Sequence, residues 1–381
     1  MLSVWEQHEL LHADVVIVGG GVVGMWSALE IARRHPRLRI LLLERAPIPL
    51  GASTRNAGFA TIGTVGEAIE HARSAGTERV AMLMVERWLG IRRWLEEFDP
   101  EELGYEPVGG YELIRPHEEH VRHAVDYWNE LLRDSFGGDV FADRPELVAE
   151  FGFPREQVQT ILATPYDGAL HTGRAIRALQ LRIARMGIWT MSGARAEALE
   201  PASSGVTLTC WDSAAQRTLT LRARVVALCT NAWLPELVPN LEIRPARGQV
   251  LLSIPLGRQL WCGTFHMEAG FYYFRALGTR LLLGGGRHRA MQEEETYEFA
   301  LNPFVQKHLE ELARSLLPPD VEFAVQTRWC GIMGMAPDRL PRVQHVGERT
   351  VVGFGCNGMG MALAPRIGAQ VATLVEEWLA A

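Results

Sequence analysis

Three glycines and one glutamate carry the first chemical signal in this chain. Gly19, Gly21 and Gly24 stand in the spacing G-x-G-x-x-G, and Glu44 follows about 20 residues after the last of them. The first glycine permits a tight turn. The second lets backbone close on a pyrophosphate, and the third lets a helix pack against a strand. The helix that follows offers free N–H groups and a partial positive charge to phosphate. Glu44 can accept hydrogen bonds from both hydroxyls of a ribose.

That chemistry requires a frame, and the flanking residues supply it. Asp14 to Val18 reads as a buried strand that runs into the glycines. A helical pattern covers Met25 to about His35, and Pro36 stops it. A second apolar strand, Leu38 to Leu43, delivers Glu44. Strand, glycine turn, helix, strand and acid in register predict a βαβ dinucleotide unit. The unit by itself suits NAD and FAD equally.

The totals bound the rest. A chain of 381 residues with 48% hydrophobic and 22% charged content is a folded globular protein, not a disordered one. A net charge of −7 argues against a general nucleic-acid surface. Lys307 is the only lysine, so lysine is removed from almost every catalytic role. The five cysteines (Cys210, Cys229, Cys262, Cys330, Cys356) are scattered without a C-x-x-C, which predicts neither a disulfide framework nor a zinc site. No signal peptide and no apolar run of about 18–20 residues is evident, and the expectation is a cytoplasmic protein without a transmembrane segment.

Further along, residues 77–98 read as an amphipathic helix on Met84, Trp88, Ile91, Trp94 and Phe98. A second is expected over about 117–134 on Val121, Val125, Trp128 and Leu132. His117, His120 and His123 fall on its polar face beside Glu118 and Glu119 and read as solvated side chains, so no metal site is expected. A helix at 174–186 and short alternating strands lead to the apolar strand 224–229 and the turn Thr230-Asn231-Ala232-Trp233. From Arg244 the pattern becomes β-type at 248–254, 270–275 and 280–286, then a helix at 303–317 and a strand at about 321–329. This block predicts a second, largely antiparallel sheet. The last block holds Trp329 to Gly334, a strand at 350–354, the glycines Gly355, Gly358 and Gly360, and a helix from about 362 to 379.

With these motifs in order, the chain resembles the D-amino-acid oxidase-like superfamily of FAD enzymes, which includes glycine, sarcosine and γ-glutamylputrescine oxidases. The resemblance covers essentially the whole length. Gly51-Ala52-Ser53-Thr54-Arg55-Asn56-Ala57-Gly58 is similar to the G-A-S-x-R-N-x-G loop of the γ-glutamylputrescine oxidase-like branch. Thr230-Asn231-Ala232, Arg244-Pro245 with Gly248-Gln249, Asp338 to Pro341, and the 353–365 segment match further family motifs.

The resemblance implies FAD as cofactor. It implies a Rossmann-like (GR2-type) FAD-binding domain with a second, mostly antiparallel substrate domain, an α/β plus α+β architecture. The expected FAD-binding domain is 1–90, 161–243 and 326–381; the expected substrate domain is 91–160 and 244–325. The implied cofactor contacts are Gly19, Gly21, Val22, Val23, Gly24, Glu44, Arg45, Ser53, Thr54, Arg55, Asn56, Ala57, Gly58, Ala196, Thr230, Asn231, Gly331, Gly355, Asn357, Gly358, Met359, Gly360 and Met361. Tyr272, Arg328 and Arg55 are the implied catalytic residues. The implied reaction is hydride removal from the carbon of a small amine or amino acid, with hydrolysis of the imine and reoxidation by O2.

Departures from the family pattern sharpen the expectation. Where glycine oxidase-like members carry carboxylate-binding arginines, this chain has Met333 and Cys356, with Arg328 or Arg275 on neighbouring strands. Leu282 replaces a lysine that sarcosine oxidase-like members use towards oxygen, which opens the alternative of a dehydrogenase of an amine or 2-hydroxy acid with a quinone or protein acceptor. Cys330 lies within a residue of a thioether attachment point in those same relatives.

Overall fold

The computed structural model describes residues 2–380. Two compact units divide the chain. One runs to Thr54, resumes over Gly173–Pro245, and takes in everything from Met333 on; the other holds Arg55–Thr172 and Ala246–Ile332.

The first unit is built on a sheet of order 342–347, 350–354, 217–228, 12–18, 40–44, 189–192. His12–Val18 pairs in parallel with both Arg217–Leu228 and Ile40–Glu44, so the chain reverses its winding on either side of it. Ligands of doubly wound sheets bind at such a switch point, beyond the carboxyl ends of the strands. The strand is fully buried from Val15 to Ile17, as a parallel sheet covered on both faces requires. The helix after it is Val22–Arg34 and starts earlier than the apolar period suggests. Gly21 is its N-cap, so Val22 and Val23 already belong to the first turn. The last helix, Gly360–Ala380, lies along this one. A Cβ on Gly368 would come within 2.8 Å of the Ser27 nitrogen, so only glycine permits this approach.

The second unit carries an eight-stranded sheet of order 325–335, 244–253, 280–285, 272–277, 264–267, 110–114, 160–164, 142–143. The described pairings are antiparallel, apart from the parallel pair Thr264–Met267 with Gly110–Ile114. One face packs on an aromatic core, where the Phe265 and Phe274 rings stack at 4.9 Å between Phe153, Trp261 and the helix residues Leu309 and Ala313. Thr77–Glu97 is the expected long helix. The expected 117–134 helix is interrupted. Glu119–His123 and Val125–Phe136 meet at Ala124, whose N–H bonds three residues back to Val121. The strand expected to end near 329 runs Val325–Met335 and absorbs Gly331.

The compact units differ in extent from the expected domains, because 55–90, 161–172 and 326–332 pack with the second unit. Phe59–Ala60 pairs with Gly168–Ala169, the Gly66 N–H donates to Glu112, and Arg87 binds the Ile62 carbonyl and Glu67. Among the described residues no helix is long and apolar enough to cross a membrane.

Candidate functional site

In the first unit the glycines do what their spacing implies. Gly19 has φ +110°, and a Cβ there would lie 2.6 Å from the Cys229 carbonyl oxygen. A Cβ on Gly24 would lie 1.9 Å from the Gly19 oxygen, so helix and strand meet without room for any side chain. The Val22 N–H, exposed at the helix start, donates to Ser53 Oγ at 3.0 Å. Ser53 therefore stands at the positive end of the helix, where phosphate oxygens are stabilised. Thr54 fixes the same loop by donating to the Pro49 carbonyl at 2.8 Å.

Glu44 ends its strand buried. Its Oε2 accepts from the Gly20 N–H at 3.1 Å and its Oε1 from Ala46 at 3.0 Å. Burial pushes its carboxyl up, against the pull of those N–H groups. Gly20, an unassigned position of the motif, is itself required: a Cβ there would sit 2.8 Å from Glu44 Cβ. Its place as the middle glycine of the run Gly19 to Gly21 was its only signal. Arg45 turns its guanidinium onto the Trp233 ring at 3.9 Å. Ala196 is buried on its strand opposite Cys210.

The closing turns of this unit are left-handed. Gly355 and Gly358 have φ +80° and +91°, and Asn357 joins them at +51°. Asn357 Oδ1 accepts from the Ala336 N–H at 2.8 Å, which ties this loop to the residue just after the strand Val325–Met335. Met359 bonds back to Cys356, and Gly360 opens the last helix within 3.8 Å of Val22 Cγ1 as measured from its would-be Cβ. Met361 is buried in the first turn. Asn231 has φ +49°, its Oδ1 and Thr230 Oγ1 are buried, and neither atom has a protein hydrogen-bond partner. Buried polar atoms left in this state call for an acceptor or donor from a ligand.

In the second unit, Arg55, Asn56, Ala57 and Gly58 form a tightly pinned loop. Arg55 Nη1 donates to the Cys330 carbonyl at 3.0 Å, and the Arg55 carbonyl accepts from Trp329 Nε1 at 3.0 Å. Asn56 Oδ1 accepts from Gly58 N and Thr172 Oγ1. Gly58 has φ +75° with Leu170 O 2.2 Å from its missing Cβ. Arg275 Nη1 gathers the Gly58 and Leu170 carbonyls at 2.8 and 3.2 Å. Ala57 packs with Val250 and Leu282, and Phe59, Tyr273 and Trp329 flank them. Gly331 is buried in its strand.

Two expected catalytic residues stand elsewhere. Tyr272 points to the opposite face, into the aromatic core, with its ring edge-on to His288 at 5.1 Å. Side chains alternate along a strand, so its neighbour Tyr273 faces the Arg55–Gly58 loop instead, 5.7 Å from Phe59. Burial pushes the Tyr273 phenol up to about 12. Arg328 is ion-paired with Glu310 of the helix Pro303–Leu316. His266, which carried no motif, pairs across the strands with Tyr273 and lies 5.1 Å from the Phe59 ring. Its Nδ1 is buried without a protein partner, and burial lowers the ring to about 4, which keeps it neutral.

A cofactor with a pyrophosphate, an adenosine ribose and a flat polar ring fits these residues. The cradle at Gly19 to Gly24 would be filled by any Cβ, Glu44 is oriented by backbone, and Thr230 Oγ1 and Asn231 Oδ1 await partners. Fold and cradle together define a dinucleotide-dependent oxidoreductase. The model of the DAO family, described as FAD dependent oxidoreductase, matches residues 14–374, and the chain belongs to that family. It is an FAD-dependent enzyme. Glycine oxidase of Geobacillus kaustophilus (strain HTA426) is 26% identical over 376 residues, spanning 95% of this chain and 93% of that protein. Gamma-glutamylputrescine oxidoreductase of Escherichia coli (strain K12) is 26% identical over 392 residues, spanning 97% and 85%. The crystal structure of glycine oxidase from Geobacillus kaustophilus shares the fold with a TM-score of 0.78 at 22% identity, over 96% of this chain and 95% of that one.

Proposed function

We propose that this enzyme oxidises a small amine or amino acid at the carbon bearing nitrogen. The observation that carries the reading is the sheet face under the Arg55–Gly58 loop, where Ala57, Leu282, Phe59 and Tyr273 form an apolar surface with a buried neutral His266 beside it. Such a surface excludes water and favours an uncharged amine over its ammonium form. The bound flavin supplies the hydride-accepting chemistry. The named activities of the relatives, glycine oxidase and gamma-glutamylputrescine oxidoreductase, support the same substrate class.

In this reading Gly19, Gly21, Val22, Val23, Gly24, Ser53 and Thr54 cradle the pyrophosphate. Glu44 holds the ribose, with Arg45 and Ala196 beside the adenine. Arg55 to Gly58 and Gly331 lie along the flavin, while Thr230, Asn231, and Gly355 to Met361 hold its polar edge and ribityl chain. Two polar side chains of the second unit, Tyr273 and His266, orient the substrate. Anaerobic flavin bleaching across a panel of amines, amino acids and 2-hydroxy acids tests this. Bleaching by hydroxy acids alone would overturn it.

A second reading concerns the electron acceptor. Leu282 packs into the apolar cluster, and Lys307, the sole lysine, is 74% exposed on its helix and paired with Glu311. This favours a dehydrogenase over an oxidase as the way the reduced flavin is reoxidised. Peroxide yield against dye reduction, measured with one bleaching substrate, separates the two.

A further inference from the structure

Arg275 is a buried cation without a counter-ion. It is 6% exposed and stands on the strand Tyr272–Leu277. Alternation puts it on the sheet face of Tyr273, under the Arg55–Gly58 loop, and away from the aromatic core that holds Tyr272 and Phe274. Its partners across the adjoining strands are Leu282 and Thr264, both uncharged. Leu282 packs with Ala57 and Val250, so apolar side chains stand beside the guanidinium.

Backbone takes up only part of its donor capacity. Nη1 donates to the Gly58 and Leu170 carbonyls at 2.8 and 3.2 Å. Nε, which always carries a proton, is buried without a protein partner. Among the described residues no carboxylate forms an ion pair with Arg275, and Glu106, whose charge acts on it, is exposed. Burial pulls its pKa down, but an arginine keeps its proton in a folded protein. The other arginines around the loop are answered. Arg247 pairs with Glu294 and Arg87 with Glu67, while Arg55 turns to the Cys330 carbonyl and the Phe299 ring. A buried charge left unpaired is costly, and two neutral carbonyls do not cancel it. Fastening the loop needs only donors, which a neutral amide side chain could supply. The charge is left over for an anion.

We propose that Arg275 is the cation that offsets the negative charge of the flavin when the cofactor is reduced. This rests on the placement of the flavin along the Arg55–Gly58 loop given above, and not on which substrate reduces it. Nη1 is held against Gly58, a residue of that loop, so the charge sits at a fixed place. A charge on a desolvated face acts strongly without touching its partner, because attraction grows as the effective dielectric falls. Positive charge beside a flavin favours its reduced form, so Arg275 makes the bound FAD a stronger acceptor of hydride. Leu282, directly opposite, is neutral, and Lys307 lies exposed on a helix, so neither supplies this charge.

The test is the midpoint potential of FAD in the holoenzyme, read against reference dyes, so that no substrate is needed. Arg275→Gln removes the charge and keeps a neutral donor for the carbonyls; Arg275→Lys keeps the charge. In Arg275→Gln the two-electron reduction equilibrium is expected to fall about tenfold or more, a shift of about 30 mV or more. Arg275→Lys is expected to keep most of the parent's potential. Flavin content and melting temperature are followed in each variant, so that a loosened loop shows itself. An unchanged potential in Arg275→Gln overturns the proposal, and so does an equal fall in both variants, which assigns Arg275 to holding the loop. Weaker acetate binding in Arg275→Gln at an unchanged potential overturns it as well, and gives the cation to a carboxylate ligand. Leu282→Lys adds a charge opposite Arg275 without touching the loop's hydrogen bonds, and is expected to raise the potential. A rise there with no change in Arg275→Gln keeps the flavin at this loop and refutes the role of Arg275 alone. No change in either variant refutes the placement together with the proposal.

Discussion

Glu44 accepts the N–H of Gly20 at 3.1 Å, so the acid that closes the nucleotide unit is held by the loop it serves. The contact leaves no room for a side chain on Gly20, whose Cβ would lie 2.8 Å from Glu44 Cβ. Glu44→Gln keeps the shape but loses a charged acceptor, worth about 1.5–3 kcal/mol in a hydrogen bond. FAD affinity is expected to fall about tenfold to a hundredfold in that variant, and further in Gly20→Val. The ratio of flavin to protein absorbance after dialysis reads this directly. Full retention in both variants would show that the acid does not hold the cofactor.

The alternation of Tyr272 and Tyr273 leads to a paired prediction. Tyr273 lies on the face of the Arg55–Gly58 loop, and Tyr272 lies in the aromatic core against His288. Removing the Tyr273 hydroxyl is expected to slow anaerobic flavin reduction by about tenfold or more, the scale of one functional hydrogen bond. Tyr272→Phe keeps the ring and its packing, and flavin reduction by a plain alkylamine should change less. Stopped-flow bleaching of both variants decides it. A larger loss in Tyr272→Phe would reverse the assignment.

These two cases mark what the sequence could disclose. The nucleotide unit was legible because its pattern is local: turn, helix start and acid fall within one continuous stretch, although of its glycines only Gly24 meets a contact a few residues away, at the Gly19 oxygen, while Gly19 meets the Cys229 carbonyl. The second sheet was legible as a class, from its alternating segments. Which tyrosine faces which side was not. One residue of register inverts a strand, and the register is set by partners such as Gly284 and His266, distant in sequence. The convergence of Arg115, His288 and Arg289 on Glu268 was hidden for the same reason. Its members come from three strand ends, and no spacing along the chain announces them.

Glu112 gives the protein a pH-dependent stability term with a definite sign. The carboxylate is buried, and burial raises it to about 7, against the hydrogen bonds from the Gly66 N–H and Thr64 Oγ1. A carboxyl raised on folding contributes stability that is present below its unfolded value of 4.5 and is lost as pH climbs through about 7. Asp167, raised by burial to about 7, behaves alike; His266, lowered to about 4, acts in the opposite sense from 6.5 downward. Glu112→Gln removes one of these terms and leaves the others. Relative to the parent, the variant should gain about 3 kcal/mol between pH 4.5 and pH 8. Urea unfolding at the two pH values measures the difference. A gap that does not move with pH would mean that Glu112 stays ionised in the folded protein.

The attachment of the flavin can be argued from Cys330. Its side chain is 4% exposed within the strand Val325–Met335, and its carbonyl is committed to Arg55 Nη1. Burial raises its thiol above the usual cysteine value, against the opposing pull of Arg247 and Arg55. The nucleophile in thioether formation is the thiolate, and a buried thiol held protonated is inert. FAD is therefore expected to be bound without a covalent link. Acid precipitation should release all of the flavin into the supernatant, and a denaturing gel should carry no fluorescent band. Cys330→Ala should load FAD as well as the parent does. A fluorescent band in the parent that vanishes in Cys330→Ala would establish the thioether and show that this strand opens far enough during assembly to ionise the thiol.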